Sequence, residues 1–583
     1  MKPPYSVIGI DFGTSTTVVR VLHYKEDGPD PQAAFVTDID DRTDFIPTLV
    51  LERDVDGQTI WDSGIEANNI AKQCKNRDVE NFSLYSNFKV DLVSNDKAKK
   101  EKAEKLTGKF FEFIVKRILT LKRSGKLTLL ENVKVCVSVP SKWPMDAREF
   151  MRDVVVKATK IVFDKEQEHI TIGSVTIVSE PEAAAKMTLL SPKGRELIKG
   201  AGKGTVNVLV LDMGAGTTDL SIFKLELTKC SQFKAFDVLS YPPADSDLWC
   251  GGGEIDKCLL KEVMCRGVKV KPERAIQKLN AIKLMKETGL SPVLRDNTST
   301  FCISDQDGFE TYQGEELDRV RFEKLTRELW GRLHKLIKEA CDTYNKKHNV
   351  GPADIDFVIL TGGHSNWYCV EEFFKGQPLA GWSSLGFKKI EKDANRILFD
   401  VNRSATVAEG LVRNDLTCEF GGAAGDQFAR NVVPYGCKFE RTAENQYWMR
   451  VIIGNKASDY VELCGVGDKL PKDCNKKLHL KVTASILRFG FHVAVEIAYG
   501  SNKEKLMLCR RIDGKISASD LFARYFAALF TLGLAKDDYA FDVLAKIEID
   551  EDLQITGGGK VLSYTVKESG ERFDQQKTVT FSL

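Results

Sequence analysis

No stretch of about eighteen consecutive apolar residues occurs in this chain, so an ordinary membrane-spanning helix is not expected. Net charge is nearly absent as well: 84 basic residues against 83 acidic ones leave a formal charge of +1. That balance provides no global field for nucleic acid or an anionic membrane, and neither is expected as a partner. A local basic groove is left open. Fourteen cysteines are present but none forms a C-x-x-C pair, which weakens zinc and thioredoxin-like readings. The beginning, MKPPYSVIGIDFG, lacks the apolar core and small-residue cleavage site of a secretory signal. Free thiols in a reducing cytoplasm are therefore expected. The G-x-x-x-x-G-K-[ST] loop is also missing, which removes one common route to phosphate binding.

What is present is the composition of a globular protein, 43% hydrophobic and 29% charged over 583 residues. A chain of this length predicts about three to five structural units. Three apolar runs read as buried strands, Ser6–Asp11, Val206–Asp212 and Asp356–Thr361, each ending in a glycine turn. A fourth, Val133–Val139, stops at Pro140. Helices are expected between them. Lys97–Leu121 opens with KAKKEKAEK and carries Phe110, Phe111, Ile114, Ile118 and Leu121 on one stripe. Glu101 and Glu104 interleave its lysines, so the run reads as a solvated face, with a nucleic-acid patch as the alternative. Asp146–Ala158 is expected to start on a capping aspartate, and Phe322–Lys346 to form one long helix. Strands alternating with helices predict an α/β domain with mixed sheets.

Near Asp415 the texture changes. Period-2 segments follow at Tyr447–Ile453, Lys477–Leu487 and Gly490–Tyr499, then at Ala545–Ile549, Leu562–Lys567 and Thr578–Leu583. They predict an antiparallel β-rich region, interrupted by a helix at Ser517–Leu534 whose aromatic stripe reads as core. Gly557-Gly558-Gly559-Lys560 is expected to be an ordinary turn between strands.

Two segments carry the chemistry. Ile10-Asp11-Phe12-Gly13-Thr14-Ser15-Thr16-Thr17 and Leu211-Asp212-Met213-Gly214-Ala215-Gly216-Thr217-Thr218-Asp219 share one form: apolar strand, aspartate, glycine turn with hydroxyls, second strand. Such a turn exposes successive backbone N–H groups to phosphate oxygens, and glycine allows close approach. An aspartate facing a phosphate cradle repels it unless a cation intervenes; Mg²⁺, with its octahedral oxygen shell and retained waters, suits the role. Bound ATP or ADP with Mg²⁺ is the expectation.

The pair resembles the two phosphate motifs of the actin, sugar-kinase and heat-shock 70-kilodalton ATPase superfamily. Further segments are similar to the chaperone branch: Val137-Ser138-Val139-Pro140-Ser141-Lys142-Trp143, Ile177-Val178-Ser179-Glu180-Pro181-Glu182-Ala183-Ala184-Ala185, Cys250-Gly251-Gly252-Gly253-Glu254-Ile255-Asp256, Leu360-Thr361-Gly362-Gly363-His364-Ser365, and Val401–Gly410. They occur in family order over about residues 5–415, and the chain looks nearest the divergent twelve-type branch. The resemblance implies a duplicated ribonuclease-H-like, bilobal actin-like ATPase domain at 1–415, with lobes of about 1–200 and 201–415. An atypical β-rich domain, similar to a substrate-binding domain in position and strand content, would follow at 416–583.

It also implies roles. Asp11 and Asp212 would stand at hydrated Mg²⁺. Gly13, Thr14, Ser15 and Thr16 would touch phosphates in the first turn, and Gly214, Ala215, Gly216 and Thr217 in the second. Asp219 falls where the family has a further acid near the cation and attacking water. Glu180 falls on the carboxylate that couples the cation site to a connecting helix. Lys89 is the candidate catalytic lysine, the alternative being a surface lysine at a strand end. Gly252 and Gly253 would pass near sugar and phosphates, and Gly362 and Gly363 under the base. Lys286 aligns with a family helix lysine if one residue is inserted, the alternative being a solvated lysine.

Departures from the pattern matter. Ala215 replaces a usual glycine, which its methyl tolerates only at negative φ. Asn366 replaces an arginine that stacks on adenine, and Ser404 an aspartate near the base. The interdomain linker is reduced to Asn414-Asp415-Leu416-Thr417-Cys418, which puts standard interdomain coupling in doubt. The sequence ends without the family's acidic tail peptide, so tetratricopeptide co-chaperones are not expected as partners; a protein or peptide client through the β-rich domain is. Three activities stay open: a slow, Mg²⁺-dependent, chaperone-like ATPase, a nucleotide-sensing scaffold with little hydrolysis, and a small-molecule kinase of the same superfamily.

Overall fold

The valine- and isoleucine-rich runs form strands in the computed structural model, and they do so in two sheets of matching construction. The structure describes residues 4–413 apart from 243–249, 262–281, 283–289, 304–314 and breaks of one to five residues; beyond 413 it describes the strands named below and a few residues beside them. The chain divides into two compact units, one built from most of residues 1–439 and the other mainly from residues 440–583.

In the first sheet Tyr5–Phe12 runs antiparallel to Thr16–Lys25 and parallel to Asn132–Val139, with Thr171–Ser179 beyond. In the second, Thr205–Met213 runs antiparallel to Thr218–Leu227 and parallel to Phe357–Thr361, with Ile397–Leu398 beyond. Phe233–Tyr241 and then Cys437–Phe439 extend its other edge. Each central strand is therefore flanked by a hairpin partner and a parallel neighbour, and each carries an aspartate one residue before its end. The continuous apolar spelling follows from burial: every residue from Val208 to Met213 is buried, as expected of a strand covered on both faces.

Helices supply that cover. Lys97–Arg123 starts on Asp96, whose side chain accepts from the Ala98 and Lys99 amides. Its stripe at Phe110, Phe111, Ile114 and Ile118 is buried. Phe110 and Phe111 close on Phe12, with ring centroids 5.9 and 5.3 Å away. Burying each such ring is worth about 2–3 kcal/mol, and the cluster fixes the residue next to Asp11. Glu180–Leu190 and Thr406–Val412 cross so closely that a Cβ on Gly410 would stand 1.8 Å from the Ala183 carbonyl oxygen. Arg20, on the first sheet, reaches Glu409 of the second helix at 2.9 Å.

Three expectations need correction. The single helix expected over Phe322–Lys346 is two, Arg319–Leu325 and Arg327–His348. Thr326 separates them: its hydroxyl donates to the Phe322 carbonyl and accepts from the Trp330 indole at 2.8 Å, a side-chain bond that competes with the backbone ladder. The helix expected from Asp146 starts at Met145 and runs to Glu166, so Asp146 lies inside its first turn and is not its cap. Gly557, Gly558 and Gly559 lie within the strand Ile555–Val566, paired with Ile547, Lys546 and Ala545. Their place between strands in the β-rich region predicts a turn, but extended pairing satisfies the same backbone groups.

The second unit's described residues form antiparallel strands. Tyr447–Ile453, His492–Tyr499 and Met507–Lys515 belong to one sheet; Lys472–Thr483, Asp538–Ile549, Ile555–Val566 and Arg572–Val579 form another. The helix expected at Ser517–Leu534 and the linker at Asn414–Cys418 lie outside the described residues. The protein is thus a mixed α/β chain with several sheets and helices.

Candidate phosphate and metal site

The two glycine turns are built by their own backbones and then pinned by other segments. The Gly13 amide donates to the Asp11 carbonyl at 3.1 Å. The Thr48 hydroxyl donates to the Gly13 carbonyl at 2.8 Å, and the Thr48 amide to the Ser15 carbonyl at 3.0 Å. In the second turn the Gly214 amide donates to the Thr217 carbonyl at 2.9 Å. The glycine run after Cys250 is laid along it: the Gly252 amide donates to the Gly214 carbonyl at 3.0 Å and the Gly253 amide to the Ala215 carbonyl at 2.7 Å. The Thr218 hydroxyl holds the Cys250 carbonyl at 2.7 Å. Thr14 and Gly216 bring the two turns together, since a Cβ on Gly216 would stand 2.5 Å from the Thr14 hydroxyl. Ala215 is not among the described non-glycine residues with positive φ, which are Asp56, Asn87, Asp237 and Asn349, so its methyl is tolerated.

Between the turns sits a cluster of buried charge. Asp212 and Asp219 are direct partners across the second hairpin, and opposite residues of an antiparallel pair share a face. Ser141 binds one oxygen of Asp219 through both its amide and its hydroxyl, each at 3.0 Å. The other oxygen, Oδ2, is buried with no hydrogen-bond partner among the described residues. The Ser138 hydroxyl donates to Asp11 at 2.6 Å. Lys89 belongs to a helical turn, Phe88–Val93, and is 3% exposed. It is therefore neither on a strand end nor at the surface. Its ammonium donates to Glu180, the first residue of the crossing helix, at 2.6 Å.

The electrostatics follow from that burial. Desolvation, then the charge of Glu180, pushes Asp11 up to about 6, against the pull of Lys89 and Ser138. The same two causes push Asp219 up to about 7, opposed by Ser141 and Lys89. Asp212 is raised well above the carboxylate range by burial and by Glu180, Asp11 and Asp219. Four carboxylates thus share one lysine, and negative charge is in excess. A divalent cation fits this donor set: the excess charge calls for it, and the bare Asp219 oxygen offers an acceptor to it or its waters. Among the described residues no three acidic, histidine or cysteine side chains form a direct cage, so the fit is to an ion that keeps its waters.

A third glycine turn closes the site. Gly362 has φ +79°, and a Cβ there would stand 2.5 Å from Asp212 Oδ1 and from the Met213 carbonyl oxygen. Only glycine gives both the backbone angle and the clearance. The His364 imidazole lies against Gly252, and the Ser404 hydroxyl would be 3.1 Å from a Cβ on Gly363. The Asn366 side chain donates to the Gly363 carbonyl at 3.1 Å. Arg403 braces the turn through the Ser365 carbonyl at 2.6 Å and is itself held by Glu371 at 3.0 Å. Lys286 lies outside the described residues.

Sequence reasoning gave Ser138, Ser141, Thr48 and His364 no role. The two serines flank Pro140 in a quoted motif, and their alternation with buried valines was the available signal. His364 stands in the quoted Leu360–Ser365 segment, and Thr48 carried no signal.

Comparison with known proteins gives a consistent result. The model of the family described as Hsp70 protein matches residues 69–379, more than half of the chain. The chaperone protein DnaK of Thermus thermophilus is 27% identical over 267 residues, covering 42% of this chain and 39% of DnaK. The stromal 70 kDa heat shock-related protein, chloroplastic, of Pisum sativum is 27% identical over 311 residues, covering 50% of this chain and 38% of that protein. The chaperone protein dnaK of Thalassiosira pseudonana is 26% identical over 302 residues, covering 49% and 45%. This chain thus spans less than half the length of the relatives it matches. No described helix is long and apolar enough to cross a membrane. With more than half of its residues matched by the family model, and with its motifs gathered around one acidic site, the chain belongs to the Hsp70 family.

Proposed function

We propose that the chain binds ATP with Mg²⁺ between two lobes of an actin-like domain, about residues 1–200 and 201–415, and hydrolyses it slowly. The observation that carries this reading is the meeting of Thr14 with Gly216 beside a cluster of half-buried Asp11 with buried Asp212, Asp219, Glu180 and Lys89. The glycines of both turns let backbone approach phosphate oxygens closely. Lys89, held by Glu180, carries positive charge toward the transferring phosphoryl group. Asp219, fixed by Ser141 through one oxygen, uses the other to orient the attacking water and take up its proton. Thr217 lies in the second turn as a phosphate contact. Gly252, Gly253, Gly362 and Gly363 pass the sugar and base, and Lys286 remains a proposed contact there. Bound Mg²⁺ would neutralise phosphate charge through its water shell, with Asp11 and Asp212 as acceptors for that shell.

On this reading the protein is a divergent chaperone whose nucleotide state is transmitted to the β-rich region at 416–583, where an extended client peptide is the proposed partner. DnaK and the stromal protein are named for chaperone and heat-shock roles, which supports the class. Cys74, Cys250, Cys341 and Cys369 are free thiols, in keeping with the cytoplasm as the proposed compartment.

Equilibrium binding of a fluorescent ATP analogue, with Mg²⁺ and then with EDTA, tests the site. Binding that weakens at least tenfold in EDTA is expected. Binding without turnover would favour the nucleotide-sensing scaffold, and turnover only with an added sugar or polyol would favour the small-molecule kinase. Absence of binding would overturn the reading.

A further inference from the structure

The helix Arg327–His348 carries Glu328, Arg332 and Lys335 along one face, at i, i+4 and i+7, with Arg327 at its start. With Lys324 and Trp382 these side chains line an open groove of about 640 Å³. Its lining holds four cations and one carboxylate, Glu328, in a chain whose net charge is only +1; Glu254 and Glu339 pair with two of the cations from beside it. Among the described residues neither Lys324 nor Arg327 has a carboxylate partner, whereas Lys335 is 3.8 Å from Glu339. Trp382 provides an apolar wall. Its indole rests on the helix at Gly331, where a Cβ would be 3.4 Å from the ring, and against the rings of His334 and Phe373, with centroids 5.9 and 6.0 Å away.

The spacing of the cations selects the ligand. From Arg327 to Lys335 the helix advances about 12 Å at 1.5 Å per residue. A single phosphate group satisfies one or two of these side chains; an extended chain of about four residues, at roughly 3.3 Å each, matches the whole row. Arg332 also connects the groove to the phosphate turns. It is paired with Glu254, and Glu254 follows Gly253, whose amide holds the Ala215 carbonyl at 2.7 Å.

We propose that this groove docks an extended acidic segment of a partner protein. The segment's carboxylates compete with Glu254 for Arg332 and so loosen Gly252 and Gly253 from the second phosphate turn. Docking stands on the groove alone; the loosening deepens the proposed ATP site and rests on that reading.

Fluorescence anisotropy of a labelled hexaglutamate peptide on the full chain tests docking. Saturable binding is expected, weakening with salt, absent for hexalysine, and reduced at least tenfold in Arg327→Glu/Lys335→Glu with an unchanged melting temperature. Trp382→Ala, which keeps every charge, is expected to weaken binding severalfold and serves where the charge-reversed variant does not fold. No binding by the wild type, equal binding by the folded variants, displacement by equimolar pyrophosphate, or equal affinity for a short single-stranded oligonucleotide would each overturn the proposal. A second arm follows release of the fluorescent ATP analogue. Hexaglutamate is expected to speed release at least threefold in the wild type and to leave Glu254→Gln unaffected. Peptide binding without faster release would overturn the loosening step alone. Failure of the analogue to bind would remove the nucleotide reading while anisotropy still decides docking.

Discussion

Lys89 and Glu180 form a buried ion pair at 2.6 Å that joins a helical turn of the first sheet's flank to the start of the helix crossing Thr406–Val412. Lys89 is the counter-charge that acts on Asp11, Asp212 and Asp219 alike. Its ammonium also lies 5.7 Å from the ring centroids of Phe12 and Trp143, so it is held in place from the apolar side as well. On the proposed reading, Lys89→Ala lowers ATP turnover by about 100-fold, the scale of losing one preorganised electrostatic partner, while nucleotide affinity falls less than tenfold. Single-turnover hydrolysis beside equilibrium binding measures both. Equal losses in the two would show that Lys89 serves binding and not the chemical step.

Gly362→Ala tests the third turn. The substitution meets a left-handed backbone angle and carboxylate and carbonyl oxygens at 2.5 Å. With φ +79° and ψ 146°, this backbone region costs a side chain about 1–3 kcal/mol. We expect a lower melting temperature together with weakened nucleotide binding, whereas Gly57→Ala, also at positive φ but with nothing within 4 Å, lowers stability without touching binding.

Gly410→Ala tests the helix crossing. Its Cβ would meet the Ala183 backbone carbonyl at 1.8 Å, and backbone on both sides leaves no flexible side chain to yield. Overpacking of this kind costs about 1–3 kcal/mol. Thermal unfolding should show the loss, and a melting temperature equal to wild type would mean that the helices do not approach this closely.

Glu371 gives a pH signature away from the acidic cluster. Burial raises its pKa, but Lys375, Arg295 and Arg403 more than offset that and leave it below its ordinary value of 4.5. A carboxylate lowered in the folded state stabilises above its unfolded pKa, and that contribution fades as pH falls through the folded pKa. The melting-temperature gap between wild type and Glu371→Gln should therefore be constant above about pH 5 and shrink below pH 4.5. A gap independent of pH would contradict the ion-pair account.

Much of the site was legible because its signals are local. A strand, an aspartate and a glycine turn are contiguous at Asp11 and again at Asp212, so the two hairpins follow from spelling. The pairing of Lys89 with Glu180 was not legible, since 91 residues separate them and neither carries a mark of its partner. Thr326 broke an apparently continuous amphipathic helix through a hydroxyl whose indole partner is set by tertiary packing. The glycines at 557–559 look like a turn between strands; the pairing partner at Ala545–Ile547 makes them strand. Local rules found where backbone turns, and long-range contacts decided which charges meet.

ATP hydrolysis by the purified chain, with Mg²⁺ and with EDTA, beside an Asp11→Asn/Asp212→Asn variant, tests the central claim most directly. The account predicts slow turnover that requires Mg²⁺ and is lost in the variant while the fold persists by circular dichroism. Turnover that survives EDTA, or that the variant retains, would contradict it.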